Sequence, residues 1–475
     1  MTQHFAFQHS YQTLPGHMFA SVAPTPVKAP SLLLYNQALA TELGIAPMDD
    51  TLLALYLSGN QLAASAQPIA QAYAGHQFGH ATMLGDGRAI LLGEHVTPQG
   101  HVVDIQLKGA GRTPFSRGGD GRATLSAVLR EYIISEAMAA LGVPTSRSLA
   151  VVATGEAVPR EYQHPGGILT RVASSHLRVG TFQYAAWHPN NALLPALVSY
   201  TIQRHYPAAA QEDNPAIGLL EAVMQQHITL VVHWLRVGFI HGVMNTDNST
   251  ISGETLDYGP CAFMDTYHPD TVFSSIDHLG RYAFGQQAAI TQWNLERFAE
   301  ALLREIHPEE ATAIAMASAV LDNFTPLFTE QWLAMMHSKL GLVESAPEVV
   351  DQWLTLLQIQ EMDYTNAHRA LMLEELPPEP EYHTPAFQAW WQQWRPLHEA
   401  GGKKARALMH NNNPALIPRN HLVNQALEQA EGGHMEAFNT LHKALSSPYR
   451  TLSWDHPFAQ PPTPQERVFA TYCGT

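Results

Sequence analysis

The sequence separates strand-forming from helix-forming patterns along its length, and this separation limits the folds that it can adopt. Residues 66–122 are rich in glycine and β-forming side chains, and residues 143–170 hold two further apolar β runs. Amphipathic helical patterns dominate from residue 214 onward. Strands followed by helices are typical of α+β proteins. With 475 residues, 45% of them hydrophobic, the chain can form one large two-lobed unit. We therefore predict an α+β fold with a β-rich N-lobe and a helical C-lobe.

Capping residues mark the predicted helices. Asn214 followed by Pro215 indicates a helix start, and Gly238 indicates its end. The predicted helices cover Ser31–Leu43, Thr124–Leu141, Asn214–Val237, Gln286–Ile306, Glu309–Leu321, Glu330–Leu340 and Glu348–Met362.

A predicted strand ends on a lysine. In the strand Val102–Leu107, alternation puts Val103, Ile105 and Leu107 on one face. Lys108 then falls on the opposite face, at the end of the strand. A lysine in this position holds the ATP phosphates in protein kinases, and a solvated lysine at a strand end has the same pattern.

A glycine turn precedes a neighbouring strand. Gly85 and Gly87 flank Asp86, directly before Arg88 and the predicted strand Ala89–Glu94. Glycine lets the backbone approach phosphate oxygens closely. The Gly-x-Gly pattern is also common in ordinary tight turns.

The predicted helix 124–141 follows a loop, residues 109–122, that is rich in glycine and arginine. The helix carries two acids, Glu131 and Glu136. Glu131 lies about where a kinase-like fold places the helix glutamate that pairs with the strand lysine, here Lys108. Glu136 is the competing candidate, and either acid could instead lie on the surface.

Cations are concentrated in the first half of an acidic chain. The formal net charge of −16 disfavours a nucleic-acid partner, which normally requires a basic stripe. Two arginines lie near the expected lobe junction, and the guanidinium fork suits phosphate oxygens. The cations therefore indicate a polyphosphate pocket. They are Arg88, Lys108, Arg112, Arg117, Arg122, Arg171 and Arg178.

Three oxygen ligands fall within eleven residues of the C-lobe: Asp247, Asn248 and Asp257. β-prone residues on both sides of Gly253 predict a tight hairpin that folds Asp257 back beside the other two. Such ligands suit Mg²⁺, which also takes phosphate oxygens and water. Kinases build their metal site from similar parts. The alternative is an ordinary polar hairpin.

The cysteines and the most apolar run indicate the cellular location and argue against a membrane protein. Two cysteines, Cys261 and Cys473, form no disulfide framework, which fits a reducing, cytoplasmic location. The most apolar run, Ile228–Ile240, is interrupted by His233 and Arg236 and is too short to span a bilayer. We expect a monomer with no membrane partner and no nucleic-acid partner.

Several motifs together closely resemble the selenoprotein O family, whose bacterial members are known as YdiU-like proteins. The resemblance extends from about Pro24 to Thr475. The motifs are Gln77-Phe78-Gly79, Leu84-Gly85-Asp86-Gly87-Arg88-Ala89, Leu107-Lys108-Gly109, Gly111-Arg112-Thr113-Pro114-Phe115-Ser116-Arg117, Asp120-Gly121-Arg122-Ala123, Gly242-Val243-Met244-Asn245-Thr246-Asp247-Asn248 and Asp257-Tyr258-Gly259-Pro260.

The resemblance implies a protein kinase-like fold that binds ATP in a flipped orientation. The implied reaction is transfer of AMP from ATP, with Mg²⁺ or Mn²⁺, to Ser, Thr or Tyr hydroxyls of target proteins. The catalytic aspartate of kinases is missing, because Val243 stands in its place. We expect an N-terminal extension at 1–65, an N-lobe at 66–185 and a helical C-lobe at 186–475.

The resemblance also implies site residues. Asp247 is the general base, Asn248 and Asp257 hold the metal, and Glu131 pairs with Lys108. The residues that contact ATP are Gly85, Gly87, Arg88, Lys108, Asp120, Gly121, Arg171, Arg178 and Asp257.

Two other functions remain open: a γ-phosphoryl kinase acting on a protein or small molecule, and a non-catalytic, nucleotide-binding pseudokinase. Some family members also pair a cysteine after the Asp-Tyr-Gly motif with a C-terminal Cys or Sec. Residues 267–275 contain no cysteine here. A bridge between Cys261 and Cys473 would require their Cα atoms to lie within about 7 Å.

Overall fold

One antiparallel sheet organises the N-lobe. The computed structural model describes residues 5–77 and 79–472, and nine of the strands within these ranges belong to this sheet. The strands in chain order are β1 (Phe7–Gln8), β2 (Phe19–Ser21), β3 (Ser31–Tyr35), β4 (Ile69–Gln71), β5 (Ala74–Gln77), β6 (His80–Met83), β7 (Ala89–Val96), β8 (Val102–Lys108), β9 (Ala123–Thr124), β10 (Arg147–Pro159), β11 (Gln163–Ala173), β12 (Phe239–Ile240) and β13 (Ala262–Phe263).

The sheet runs in the order β2-β4-β7-β8-β11-β10-β3, with β1 beside β7 and β9 beside β11. The two predicted strands that flank the phosphate-binding candidates are confirmed as β7 and β8. Ile105 and Leu107 are fully buried in the N-lobe core. Lys108 pairs with Ala89 of β7 and Leu169 of β11. Because β8 pairs with a strand on each side, the position of Lys108 in the sheet is fixed.

The predicted helix over Ser31–Leu43 is wrong in its first half. Ser31–Tyr35 forms β3, which pairs with β10 at the sheet edge. The helix begins only after Asn36, whose side chain caps it by accepting a hydrogen bond from the Leu39 N–H. The first 65 residues thus contribute three strands to the N-lobe sheet. The division of the chain at residues 65 and 185 stays a prediction.

Helices form the C-lobe, and the first three in the chain pack on the N-lobe sheet. The helices predicted after residue 214 are confirmed, although the helix predicted to start at Glu330 begins before that residue. The helices are α1 (Gln37–Leu43), α2 (Asp50–Ser58), α3 (Leu125–Ala140), α4 (Val179–Trp187), α5 (Leu193–His205), α6 (Pro215–Val237), α7 (Gln287–Ile306), α8 (Glu310–Leu321), α9 (Phe324–Leu340), α10 (Pro347–Ile359), α11 (Tyr364–Ala370), α12 (Pro385–Asn412, kinked at Gly402), α13 (Asn420–Glu431) and α14 (Glu436–Leu445).

Two helices position the site. Helix α3 follows Thr124, whose hydroxyl accepts from the Ala127 N–H, and it packs against β10 and β11. Helix α6 follows Asn214, whose side chain accepts from the Ile217 N–H, and ends at Gly238 in the left-handed conformation. Glycine is favoured there because the conformation suits a residue without a Cβ. The chain then turns directly into the stretch with the oxygen ligands.

Two helical stretches, Pro215–Val237 and Glu310–Leu340, are long and apolar enough to cross a membrane by length and composition. The first is α6, which lies in the C-lobe core between α7 and α9. A buried core helix passes the same test, so this is weak evidence for a membrane span.

Replacing the cap of α6 should destabilise the protein. We expect Asn214→Ala to lower the free energy of unfolding by about 1 kcal/mol, because the Ile217 N–H loses its acceptor. The side chain also donates to the Ile306 carbonyl at 2.8 Å. Thermal and urea unfolding measure the change. Asn439→Ala, on the exposed surface of α14, is the control and should change stability by less than about 0.5 kcal/mol. Equal effects would contradict the capping role.

Candidate functional site

A cavity of 690 Å³ lies where the N-lobe sheet meets the loop that follows α6. The residues predicted to bind nucleotide, act as base or hold metal come from six separate segments of the sequence. All of them line this cavity: Gly85, Gly87, Arg88, Lys108, Asp120, Gly121, Arg171, Arg178, Asp247, Asn248 and Asp257. Of the seven cations predicted to form a polyphosphate pocket, Arg112 is exposed and does not line it.

A buried ion network forms the back of the cavity. The Lys108 ammonium lies 2.5 Å from Glu131 Oε2, and Arg171 Nη2 lies 2.5 Å from Glu131 Oε1. Burial alone would raise the pKa of Glu131, but Arg171 and Lys108 hold it below its usual value. The predicted pairing of Lys108 with Glu131 is confirmed. The competing acid, Glu136, instead binds Arg147 at 2.7 Å.

The lysine also reaches the C-lobe. Its ammonium lies 3.1 Å from Asp257 Oδ1. Burial would raise the pKa of this carboxyl, but Lys108, Arg88 and Arg171 hold it well below its usual range. Asp257 has φ +69°, in the left-handed region, which costs a residue with a Cβ on the order of 1 kcal/mol. In this conformation the ionised Asp257 lines the cavity.

Arg178 occupies a second buried position. Its guanidinium lies 3.4 Å from Asp86 Oδ1 and stacks on the Tyr73 ring at 4.2 Å. The other carboxylate oxygen of Asp86 accepts from the Gln71 N–H and the Gln106 amide, both at 3.2 Å. Sequence reasoning used only the glycines that flank Asp86 and missed the acid. Its position between two glycines and beside Arg88 is the signal that could have identified it.

The predicted hairpin around Gly253 is confirmed as a tight turn. The Gly253 N–H donates to the Thr250 carbonyl, and Ser249 and Thr255 form a bridge across the turn. Asp247 lies in a short helical turn, Thr246–Asn248. The turn therefore brings the chain back from Asp247 to Asp257, and both residues line the same cavity.

The donor set fits a divalent cation. Asn248 donates its amide N–H to the Val243 carbonyl at 3.0 Å, which fixes its side chain at the wall of the cavity that the anionic Asp257 also lines. Among the described residues, no group of three His, Cys, Asp or Glu side chains could hold a metal. Mg²⁺ accepts such a sparse protein set because phosphate oxygens and water complete its coordination.

The hairpin β5–β6 packs against the proposed base. The His76 N–H donates to Thr246 Oγ1 at 2.7 Å. A Cβ added at Gly75 would lie 2.4 Å from Asp247 Oδ1, and one added at Gly180 would lie 1.9 Å from the Ala74 carbonyl oxygen. Both positions need glycine for this close approach. Phe78, part of one family motif, lies outside the described residues.

The glycine-rich loop carries a charge pair that sequence reasoning missed. Arg160, between β10 and β11, binds Asp120 through two contacts of 2.7 and 3.2 Å. This pairing with Arg160 lowers the pKa of Asp120. Arg117 lines the cavity mouth with φ +49°, again in the left-handed region. Arg160 has no local sequence signal beyond its charge, whereas Arg117 was among the cations predicted to form the pocket.

The segment after the metal motif is paired with the C-terminal tail. The Thr471 N–H donates to the Phe273 carbonyl at 2.7 Å, and the Ser275 N–H donates to the Thr471 carbonyl at 3.0 Å. Cys261 is fully buried, and burial raises the pKa of its thiol to about 11. Cys473, the second cysteine of the disulfide considered above, lies outside the described residues.

Known proteins resemble this chain over nearly its whole length. The family model described as "Protein adenylyltransferase SelO" matches residues 2–446. The protein nucleotidyltransferase YdiU of Alcanivorax borkumensis is 53% identical over 99% of both chains. Its namesake from Nitrosococcus oceani is also 53% identical, over 99% of this chain and 97% of its own. Among solved structures, ROP2 of Toxoplasma gondii, titled a virulence factor with a protein-kinase fold and no enzymatic activity, is 9% identical. It covers 70% of this chain and 87% of its own with a TM-score of 0.24, too low to support an argument.

The ion network should make stability depend on pH. Because folding lowers the pKa of Glu131 below its usual 4.5, its stabilising effect is fully present above that pH and is lost as the pH falls through the lowered value. We expect Glu131→Gln to cost about 3 kcal/mol near neutral pH, since it leaves the buried Arg171 without its anion and Lys108 with Asp257 alone. The difference from the wild type should shrink below about pH 4.5. Urea unfolding across pH measures it, and a difference that stays constant into acid would contradict the assignment.

Proposed function

The chain belongs to the family of the protein adenylyltransferase SelO, and from this membership we propose that it transfers AMP from ATP to hydroxyl side chains of other proteins. The product is an AMP-modified Ser, Thr or Tyr, and pyrophosphate is released. The observation that best supports this is the lining of one cavity. Buried cations, Asp247 and the metal-ligand candidates Asn248 and Asp257 all line it.

The buried cations suit the β- and γ-phosphates. Lys108, Arg171 and Arg178 are each less than a tenth exposed, and cations in a low-dielectric site act strongly on nearby anions. In the proposed orientation the two terminal phosphates lie against these side chains. Gly85 and Gly87 bring backbone close to the nucleotide. The α-phosphate then lies toward Asp247.

The chemistry follows from this orientation. Asp247 accepts the proton of the acceptor hydroxyl, whose oxygen attacks the α-phosphorus. The new bond is a phosphate ester to the protein, and the bond between the α-phosphorus and the bridging oxygen breaks. The electron pair leaves with pyrophosphate. Lys108, Arg171 and Arg178 stabilise the charge that develops on this leaving group.

Asn248 and Asp257 are the proposed ligands of Mg²⁺ or Mn²⁺. When bound, a divalent ion supplies positive charge to the phosphate oxygens. Asp257 is suited to this role because it is ionised and held in place by Lys108. We further propose that the enzyme acts as a cytoplasmic monomer.

Labelled ATP separates adenylylation from phosphorylation. With label at the α-phosphate, the acceptor protein should become labelled and pyrophosphate should appear; label at the γ-phosphate should stay off the protein. Asp247→Ala should remove at least about 99% of the transfer, in line with loss of a general base, and keep most ATP affinity. Asp270→Ala, an exposed aspartate, is the control. Label from the γ position, with ADP as product, would favour a kinase.

Arg88 tests nucleotide binding with little effect on the fold. Among the described residues it forms no ion pair with a carboxylate, whereas Arg178 binds Asp86. We expect Arg88→Ala to weaken ATP binding about tenfold, because a charge-assisted hydrogen bond contributes about 1.5–3 kcal/mol. The melting temperature of Arg88→Ala should stay near that of the wild type. Arg178→Ala should lower both the melting temperature and the affinity for ATP. Calorimetry and thermal unfolding give the two readouts. Unchanged ATP affinity in Arg88→Ala would remove Arg88 from the site.

A further inference from the structure

An aromatic and cationic surface lies beside the proposed base, outside the nucleotide cavity. Its centre is the Trp293 ring. The guanidinium groups of Arg281 and Arg297 stack on this ring at 4.6 and 4.7 Å. The His76 ring meets it edge-on at 5.4 Å and also meets Trp187 at 5.6 Å. These five residues are called the Trp293 patch.

Two hydrogen bonds connect the patch region to the loop that carries the proposed base, Asp247. On one side the His76 N–H donates to Thr246, the residue before Asp247. On the other side Tyr282, next to Arg281, donates its hydroxyl to Asn245 Oδ1 at 2.6 Å. The two hydrogen bonds therefore join the patch, directly or through the neighbouring Tyr282, to the two residues that precede the proposed base, close to where an acceptor hydroxyl must arrive.

The two arginines of the patch differ in their carboxylate partners. Arg297 is neutralised by Glu300 at 2.6 Å and Glu296 at 3.7 Å. Within the described part of the chain, Arg281 forms no ion pair, and its buried Nε has no hydrogen-bond partner. The nearby Asp277 accepts from backbone N–H groups instead. Arg281 is thus a half-buried cation without an ion pair among the described residues, in a protein with net charge −16.

Exposed apolar side chains belong to the patch and to the chain segment that carries Arg281. Trp187 is 45% exposed, Ile276 51% and Leu279 96%, and Ile276 also lines the nucleotide cavity. A smaller cavity of 180 Å³ opens between Trp187 and the exposed Arg304. Clustered exposed apolar groups with arginine and tryptophan are typical of protein-binding surfaces.

We propose that the Trp293 patch docks the protein substrate and selects an acceptor segment that carries a carboxylate beside its hydroxyl residue. Arg281 binds this carboxylate, and the exposed apolar side chains hold the neighbouring residues. Arg281 does not line the nucleotide cavity, so its counter-anion comes from the acceptor and not from ATP. The inference rests on the proposed protein adenylylation.

Two fluorescent peptides of equal length test the selection. Each contains one Ser, one Thr and one Tyr; glutamates flank these residues in the first peptide, and lysines in the second. Anisotropy is measured on the full chain with a non-hydrolysable ATP analogue and Mg²⁺. The wild type should bind the acidic peptide at least about tenfold more tightly. Arg281→Gln should lose this preference, and Arg281→Glu should reverse it.

Arg395→Gln is the matched control. Arg395 lies on α12, more than half exposed and paired with Glu399, and its replacement should leave both peptide affinities unchanged. Affinity for the ATP analogue should be unchanged in all variants. Arg281→Lys keeps the charge and should retain most of the preference, which separates the loss of a cation from local misfolding.

The possible results separate the docking proposal from the proposed reaction. Equal affinity of the wild type for the two peptides, or a preference that survives Arg281→Gln, would overturn the docking proposal. So would a fall in affinity for the ATP analogue in Arg281→Gln, because Arg281 would then belong to the nucleotide site. Retained acidic preference without label transfer from α-labelled ATP would support docking and overturn the proposed reaction.

Discussion

The buried contact between Lys108 and Glu131 is the interaction on which the rest of the site depends. It joins the end of a central strand to α3 at 2.5 Å. Arg171, on the adjacent strand, binds the same carboxylate, and Asp257 approaches the lysine from the C-lobe. One ion network thus links the sheet, the N-lobe helix and the proposed metal site. Their relative positions fix the width of the nucleotide cavity.

This network gathers charges that a folded protein normally avoids burying. Removing an ion from water is costly, and pairing offsets that cost only in part. Lys108 and Arg171 share Glu131, so two cations rely on one helix carboxylate, with Asp257 as the second anion. Arg178 pairs with Asp86, so the three buried cations are balanced by three carboxylates. Arg88 lines the same cavity and forms no ion pair among the described residues, and a polyphosphate ligand would neutralise it. Binding of ATP should therefore stabilise the protein as well as start the reaction.

The sequence predicted the parts of the site that have a local signal. Lys108 was predicted from strand alternation, and Glu131 from its place on the next helix. Long-range contacts carry no such signal. Ser31–Tyr35 has a helical pattern, yet it forms a strand because pairing with β10 decides its structure. Asp120 was predicted without its partner Arg160, because a turn far along the chain supplies the arginine.

The proposed reaction depends on the orientation of ATP, with the terminal phosphates at Lys108 and the α-phosphate at Asp247. A crystal structure with a non-hydrolysable ATP analogue and Mn²⁺ would reveal this orientation, because the anomalous signal of the ion locates the metal. We expect the γ-phosphate among Lys108, Arg171 and Arg178, and the metal between Asn248 and Asp257. A γ-phosphate beside Asp247, with the α-phosphate at Lys108, would contradict it.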